Sequence, residues 1–578
     1  MTGLAVLLLS PGVPLVLAFA LMVRPRSRAL KIAGAWSALP ALATSWLMAP
    51  GIAATVPWIL QGSEFGLDGT GRVFLFLSAA LWLVAGLVAR SWIVERDSRF
   101  LINLLLVMSG SLGLVVARDM LAFYLFFTLM SFASYALVVH DRSQRSRHAG
   151  RIFITFVLAG DMMIFAALVL IAQEAGGELL FEATRAGLPN ATNRHAALAL
   201  LMLGFGVKVG LLGVHVTLPL IYQAAPVPAG VALAGAMINA GLLGWLRLLP
   251  TGSGGMHGWG RAFIVAGVAA AFYGALVGLL QRRPRVVLAY SSISQMGIMT
   301  MGVGVALAAL DAEGVLLAAV ALYALHHAFA KGALFLGSGI AERAAGRHRV
   351  WIALGLLLPA LALAGAPLTT GMLAKETLKE ALSVAGPEPW LPALKALLPW
   401  MAFATTLVLA RFLWLVWAER PARRPVGTVP AAAWAVLIGL SLTAAWLMPQ
   451  PVTPKLWSAS AFWEVSWPVL LGVLISAVAA LAAVRGRLPR MPALPPGDVL
   501  PLMAVLGAAF IRAWNRLAWS QAPALRDALA RAAGRAAGRP GWSHAAAAVE
   551  RWLVDWRIAT LLFLLMVLGI WSVLLLWR

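Results

Sequence analysis

The chain has 578 residues, of which 61% are hydrophobic and 12% charged, with a mean hydropathy of +0.88. That balance excludes a soluble enzyme or soluble globular domain, for which water is the main solvent. The formal charge of +23 does not mark a nucleic-acid protein, because the basic residues lie in short loops between apolar runs and not on one soluble face.

Apolar runs of about 20 residues, enough to cross a hydrocarbon core of ~30 Å as helix, recur along the whole chain. The first, 3–22, has no basic start and is followed by Arg24, Arg26 and Arg28, so it reads as a membrane span and not as a secretory signal. Further spans are expected at 33–52, 72–90, 101–117, 120–139, 152–173, 196–221, 228–248, 261–280, 287–307, 315–337, 351–372, 390–416, 429–449, 465–484 and 558–577. The expected fold is an all-α polytopic membrane protein of about sixteen transmembrane helices. Its divisions are three N-terminal helices in 1–100, a core of ten in 101–420, two more in 421–484, a surface segment in 485–556 and a terminal anchor in 557–578.

Arginine clusters fall on every second loop, as at Arg90/Arg96/Arg99, Arg142/Arg145/Arg147, Arg282/Arg283/Arg285 and Arg343/Arg347/Arg349. The intervening loops are poor in Lys and Arg, so the positive-inside rule puts the amino terminus outside the cytoplasm, and an even number of spans returns the carboxy terminus there. This describes a multi-pass protein of the cell inner membrane. Cysteine is absent, which excludes a disulfide framework, thiolate-held zinc and an iron–sulfur cluster ligated by this chain. Any electron carriers of a larger assembly would belong to other subunits.

Two spans carry helix breakers near their middles: Gly210, Gly213 and Pro219 in the seventh, and Pro359, Gly365 and Pro367 in the twelfth. Broken helices survive in a bilayer where they line a protein-buried or hydrated site, although Pro and Gly are also simply commoner in membrane helices. Beyond Arg485, a Pro-rich turn leads into Arg526, Arg531, Arg535 and Arg539 at near-helical spacing among alanines. This suits an amphipathic segment on the cytoplasmic surface, with a disordered basic linker as the alternative, since Gly534, Gly538 and Pro540 weaken a long helix.

Of the 45 basic residues only seven are lysines, and Lys208, Lys331 and Lys375 lie within or beside apolar spans. Such a group costs several kcal/mol, on the order of 2.5–3.5 by insertion scales, unless it is hydrated or paired. Lysine suits a proton relay better than arginine because burial and neighbours can bring its pKa to working pH, whereas arginine stays charged. His326 and His327 precede Lys331, and the four-residue spacing puts His327 and Lys331 on one helix face, where protons can be exchanged; ordinary packing would give the same pattern. His215 follows Lys208 by seven residues, on the same face if the break does not rotate it. No carboxylate or cysteine joins these histidines at metal-ligand spacing. Asp161, in VLAGDMMIFAAL, is a carboxylate inside an apolar span, with structural pairing and relay service both open to it.

These motifs resemble the antiporter-like subunits of respiratory complex I and their relatives in Mrp antiporters and membrane-bound hydrogenases, over roughly residues 90–420. The layout is most similar to the distal, subunit-5 type of NADH-quinone oxidoreductase. The stretch from Lys208 to Arg247 resembles the family's lysine-bearing seventh helix and the helix after it; RVVLAYSSISQMG, Arg285 to Gly297, is similar to its most recognisable signature. HAFAKGALFL from His327 resembles the histidine–lysine helix, and GAPLTTGMLAKE from Gly365 the broken twelfth helix, ending here in Lys375 and Glu376. The resemblance implies two inverted five-helix repeats, each with a discontinuous helix, a proton pathway through Lys208, His327, Lys331 and Lys375, no cofactor on this chain, and other membrane and redox subunits as partners. Two positions depart from the pattern. Thr128 stands where the family has a glutamate that pairs with the seventh-helix lysine, and Asn239 where several members carry a second lysine.

Three functions follow from the resemblance. The first is a proton-translocating subunit of a complex I-type redox assembly, with protons leaving near Lys375. The second is a subunit of a non-redox cation/proton antiporter or inorganic-carbon uptake complex, and the third is a membrane scaffold that lost its pump cycle with Thr128.

Overall fold

The computed structural model describes residues 2–505 except 58–61, 96, 253–255, 310–312, 345, 347, 387, 420, 455, 457, 488–493 and 502–504. The expected surface segment and terminal anchor therefore lie almost wholly outside the described residues. The described residues up to Val56 and from Ser63 to Gly497 form one compact unit.

This unit begins with α1 (Thr2–Val23), α2 (Arg28–Trp36), α3 (Leu39–Leu47), a hairpin of β1 (Ile52–Val56) and β2 (Ser63–Leu67), and α4 (Gly69–Ala89), which runs into a π turn at Arg90–Val94. There follow α5 (Ser98–Val116), α6 (Met120–Val138), α7 (Gln144–Glu174), α8 (Phe181–Gly187), α9 (Arg194–Val209), α10 (Thr217–Ala224), α11 (Val227–Ala232) and, after a second π turn, α12 (Ile238–Leu248). The remainder is α13 (His257–Leu279), α14 (Pro284–Ala308), α15 (Glu313–Ala341), α16 (His348–Ala364), α17 (Thr370–Ser383), α18 (Leu391–Ala418), α19 (Thr428–Thr443) and α20 (Ala459–Val484). Among the described residues, twelve helices are long and apolar enough to cross a membrane.

The helices start where the sequence offers a side chain for the orphan amides of a first turn. Asp68 accepts from Gly71 N, Asp119 from Ala122 N, Ser143 from Ser146 N and Thr369 from Met372 N, opening α4, α6, α7 and α17. Burial then sorts the bundle. The Val227–Leu248 and Pro284–Ala308 spans are wholly buried, whereas only a third of α1 and a sixth of α20 are, leaving their apolar sides to the bilayer. Small residues allow the closest approaches: a Cβ at Gly267 would come within 2.5 Å of Gly297 O, which brings α13 and α14 backbone to backbone.

The sequence reading needs correction at its second span. Residues 33–52 do not form one helix: α2 ends at Trp36, where the Ser37 hydroxyl donates to Gly34 O at 2.8 Å, and α3 starts anew behind it. Ile52–Val56 and Ser63–Leu67, where no strand was expected, pair antiparallel, with Ile52 opposite Leu67 and Val56 opposite Ser63. Strands of five residues are too short for alternation to stand out between apolar helices.

Both expected helix breaks are present. The chain from α5 to α12 makes five crossings, α5, α6, α7, α9/α10 and α11–α12, and from α13 to α18 five more, with α16/α17 as the broken member. Each break falls in the fourth crossing, and an odd number of crossings starts the second set from the opposite membrane face.

A charged cluster binds the hairpin to the helix ends beside it. Arg118 lies 3.7 Å from Glu64 and 3.6 Å from Asp68, and also pairs with Glu182; Arg247 reaches Asp68 at 3.3 Å and the Ala117 carbonyl at 2.8 Å. Burial alone would raise the Asp68 carboxyl, but Arg247, the Gly71 amide and Arg118 together hold it below its ordinary value.

Candidate functional site

The first half of the site is built on a backbone contact. A Cβ on Gly204 of α9 would stand 2.9 Å from Gly160 O of α7, so the two helices touch where neither carries a side chain. Asp161 follows Gly160, and Lys208 lies one turn beyond Gly204; both side chains are buried, at 1% and 2% exposure. They attract each other electrostatically, while Lys208 Nζ and Asp161 Oδ2 have no hydrogen-bond partner among the described residues. The Lys208 ammonium stands 5.6 Å from the ring centroid of Phe127 and 5.3 Å from that of Phe153, and Ser131 donates to Asp161 Oδ1 at 3.5 Å.

Thr128 sits on α6 one turn before Ser131, buried, with its hydroxyl unpartnered among the described residues. Asn239 is fully buried, its amide donating to Gly235 O at 2.5 Å across the π turn Leu233–Met237. π turns inside membrane helices are frequent at functional positions. Sequence periodicity gave no sign of this one.

Lys208 occupies the last turn before the first break. Gly210 ends α9 at φ +82°, where a side chain would be strained, and a Cβ there would also lie 2.3 Å from Leu218 Cδ1. The break puts His215 in the turn before α10, where it accepts from Gly213 N at 3.3 Å and packs edge-on against Tyr273 and Tyr290.

The second half of the site lies on α15 and α17. Lys331 Nζ donates to Leu288 O of α14 at 2.9 Å. His327 is fully buried without a hydrogen-bond partner for either ring nitrogen among the described residues, and feels the charges of Lys331 and His326. His326 in turn feels Lys375. Its Nδ1 lies 2.8 Å from Thr370 Oγ1, and the Thr370 hydroxyl donates to Ser441 O. Because that hydroxyl has one hydrogen, His326 Nδ1 is the donor to Thr370, which leaves Nε2 as the acceptor in the neutral ring.

Lys375 reaches back across the second break to donate to Ala364 O at 2.5 Å, beside Gly365 at φ +87°. Leu368 is held in the left-handed region at φ +64°, a sparsely populated conformation for a leucine. Lys375 and Glu376 line a cavity of about 540 Å³, with Tyr323, Lys379 and Glu464. Lys379 stands 3.6 Å from Glu376 and pairs with Glu464 of α20, which is half exposed. Behind this cavity Tyr323 donates to Gln295 Oε1 at 2.8 Å, and Gln295 Nε2 to Thr405 Oγ1 at 2.9 Å.

The structure thus gathers sequence candidates into two groups, Asp161 with Lys208 and Lys331–His327–His326–Lys375, while the described contacts of His215 are with Gly213, Tyr273 and Tyr290. Gln295, Tyr323, Thr370, Lys379 and Glu464 were missed. The signal for the first lay in SSISQMG, a polar run inside a span, but single hydroxyls and amides look like packing until their partners are known.

Residues 117–388, which hold both groups, match the family described as NADH:quinone oxidoreductase/Mrp antiporter, TM. Over these residues the chain matches the antiporter-like superfamily of complex I, Mrp antiporters and membrane-bound hydrogenases. It is 27% identical to hydrogenase-4 component B of Escherichia coli (strain K12), over 54% of this chain and 49% of that protein. It is 29% identical to NAD(P)H-quinone oxidoreductase chain 4 2 of Microcystis aeruginosa (strain NIES-843), over 43% of this chain and 46% of that protein. The chain thus spans about half the length of the curated relatives it matches. In fold it is similar to the Mrp complex of Dietzia sp. DQ12-45-1b, with a TM-score of 0.69 at 21% identity, covering 93% of this chain and 63% of that one. Within this antiporter-like chain, Glu464 and α18–α20 lie beyond the matched residues.

Proposed function

We propose that the chain is a proton-translocating, antiporter-like subunit of a membrane redox complex, coupling electron transfer in partner subunits to ion movement through its own buried charges. The observation that carries this reading is the unbroken electrostatic succession Lys331–His327–His326–Lys375, ending at a charged cavity. Ionisable groups that deep are expensive for a membrane protein and mark ion paths.

In this reading His326 passes a proton by accepting at Nε2 while Thr370 holds its Nδ1–H. Lys375 then takes up or releases charge against the Ala364 carbonyl, which the helix break leaves without a helical partner. Asp161 replaces the carboxylate missing at Thr128 as the counter-charge of Lys208, so proton arrival at one member changes the proton affinity of the other. The chain itself holds no redox group; its partners are other membrane subunits and the peripheral subunits that carry electrons. The protein spans the inner membrane with both termini outside the cytoplasm.

A second reading, a subunit of a cation/proton antiporter without redox chemistry, is favoured by the fold likeness to the Mrp complex. The deciding experiment is proton uptake by vesicles holding the purified complex, driven either by the redox reaction or by a sodium gradient. The native chain is compared with Lys208→Met and Lys375→Met at matched assembly. Redox-driven uptake lost in both variants supports the first reading; uptake driven only by the cation gradient supports the second; unchanged uptake in both variants leaves the chain a scaffold.

A further inference from the structure

Between α16 and α18 the bundle surface is cut by a groove of about 1040 Å³, lined by Val350, Ala353, Leu357, Leu413, Trp414 and Trp417. Its walls are apolar and stay uncovered in the described residues: Val350 is 53% exposed, Leu357 39% and Trp417 53%. One end is different in kind. There the Arg349 guanidinium lies 5.1 Å from the Trp417 ring centroid, and its Nη2 donates to the carbonyls of Trp417 at 2.5 Å and Glu419 at 3.1 Å. A guanidinium has five N–H donors, so an acceptor at the groove mouth can be served by the others.

The same end is held basic by the backbone. Ala422 N donates to Glu342 O at 2.7 Å and Arg424 N to Arg343 O at 2.9 Å, which zips the connection after α18, with Arg423 and Arg424, to the connection after α15. Arg423 is held there at φ +50°. Of the acidic groups nearby, Glu342 takes two hydrogen bonds from Arg285, at 2.7 and 2.6 Å, and Glu419 lies in the field of Arg285 and Arg283.

We propose that this groove binds an anionic phospholipid, with an acyl chain lying along α16 and α18 and the phosphate on Arg349. Charge complementarity selects this occupant. A basic mouth over an apolar channel, with tryptophans at the level where they meet, matches a lipid whose charge sits at the head of its hydrocarbon. The inference does not depend on what the bundle transports.

The test uses the full chain in its native membrane complex, reconstituted in phosphatidylcholine vesicles containing phosphatidylglycerol with a photoactivatable acyl chain. Labelled peptides are mapped after digestion. The expected label falls on Val350–Leu357 and Leu413–Trp417 and is displaced by unlabelled phosphatidylglycerol at about fivefold lower concentration than by phosphatidylcholine. Arg349→Gln removes that preference and Arg349→Lys keeps most of it. Because Arg349 also ties two helices together, Ala353→Trp supplies a variant that fills the groove without touching the arginine, and it abolishes the label. Equal displacement by both lipids would overturn the proposal in favour of an unselective lipid annulus. Absence of label from the groove would overturn it in favour of a protein cover, and so would label that persists in Ala353→Trp.

Discussion

Asp161 and Lys208 attract each other from two helices whose backbones meet at Gly160 and Gly204, so the pair is positioned by main chain and not by the reach of its side chains. Its carboxylate comes from α7, one helix along from the α6 position that Thr128 occupies. Both groups are buried and unbonded, so removing the carboxylate leaves the Lys208 charge without its counter-charge. Asp161→Asn is expected to lower both the yield of folded complex and the uptake rate. Thr128→Glu in that background is expected to recover part of both, since Ser131 on the same helix already reaches Asp161. A Thr128→Glu/Asp161→Asn chain no better than Asp161→Asn would show that α6 cannot present a carboxylate to Lys208.

The α7–α9 contact itself is open to test. Gly204→Ala would put a Cβ 2.7 Å from Ile164 Cγ1 and 2.9 Å from Gly160 O, forcing the helices apart. Overpacking of this kind costs typically about 1–3 kcal/mol. Thermal unfolding in detergent should fall for Gly204→Ala, while Gly187→Ala, which meets nothing within 4 Å, should leave it unchanged.

Thr370 fixes the His326 tautomer, and only its hydroxyl is needed for that. Thr370→Val removes the acceptor of the Nδ1–H and the donor to Ser441 O, at about 1–3 kcal/mol for buried groups left unpaired. Thr370→Ser should behave as the native chain in nitrogen-resolved NMR of the labelled imidazole and in uptake. Equal behaviour of Val and Ser variants would remove Thr370 from the pathway.

Glu464, Lys379 and Glu376 form the rim of the Lys375 cavity, and the chain's lack of cysteine makes that cavity open to thiol mapping on the unaltered background. A cysteine at Ala402, in the cavity wall, is expected to react with a small cationic, membrane-impermeant thiol reagent added from one side of the vesicle. Glu464→Gln releases Lys379 and should slow that reaction several-fold by adding net positive charge to the rim. No reaction from either side would mean the cavity is closed to water.

Asp68 gives a pH dependence whose sign follows from its partners. Its folded-state pKa lies below the ordinary carboxylate value: burial raises it, but Arg247, the Gly71 amide and Arg118 together outweigh burial. Its contribution is therefore fully present above the ordinary value and is lost as pH falls through the folded one. Asp68→Asn should lower the unfolding temperature at pH 7, and the gap to the native chain should close as the pH falls below the ordinary carboxylate value.

Much of this was legible in the one-dimensional chain because a bilayer imposes simple rules. Apolar length places the spans, arginine in alternate loops suggests their direction, and breakers at Gly210 and Gly365 with lysines beside them mark both discontinuous helices. The rarity of lysine singled out Lys208, Lys331 and Lys375, because a charge in hydrocarbon needs a reason that a loop charge does not.

What the sequence could not supply is which helices touch. Asp161 was open to a lysine or to an arginine; the approach of Gly160 to Gly204 brings it into the field of Lys208. His215 shares a seven-residue spacing with Lys208, yet Gly210 in the left-handed conformation turns it toward Tyr273 and Tyr290. Glu464, 88 residues beyond Glu376 in the chain, meets Lys379 only because α20 packs beside α18 at the mouth of the second break. Hydropathy is summed along a helix and survives in the sequence, whereas a charge's partner is set by distances between helices, and those exist only once the bundle has packed.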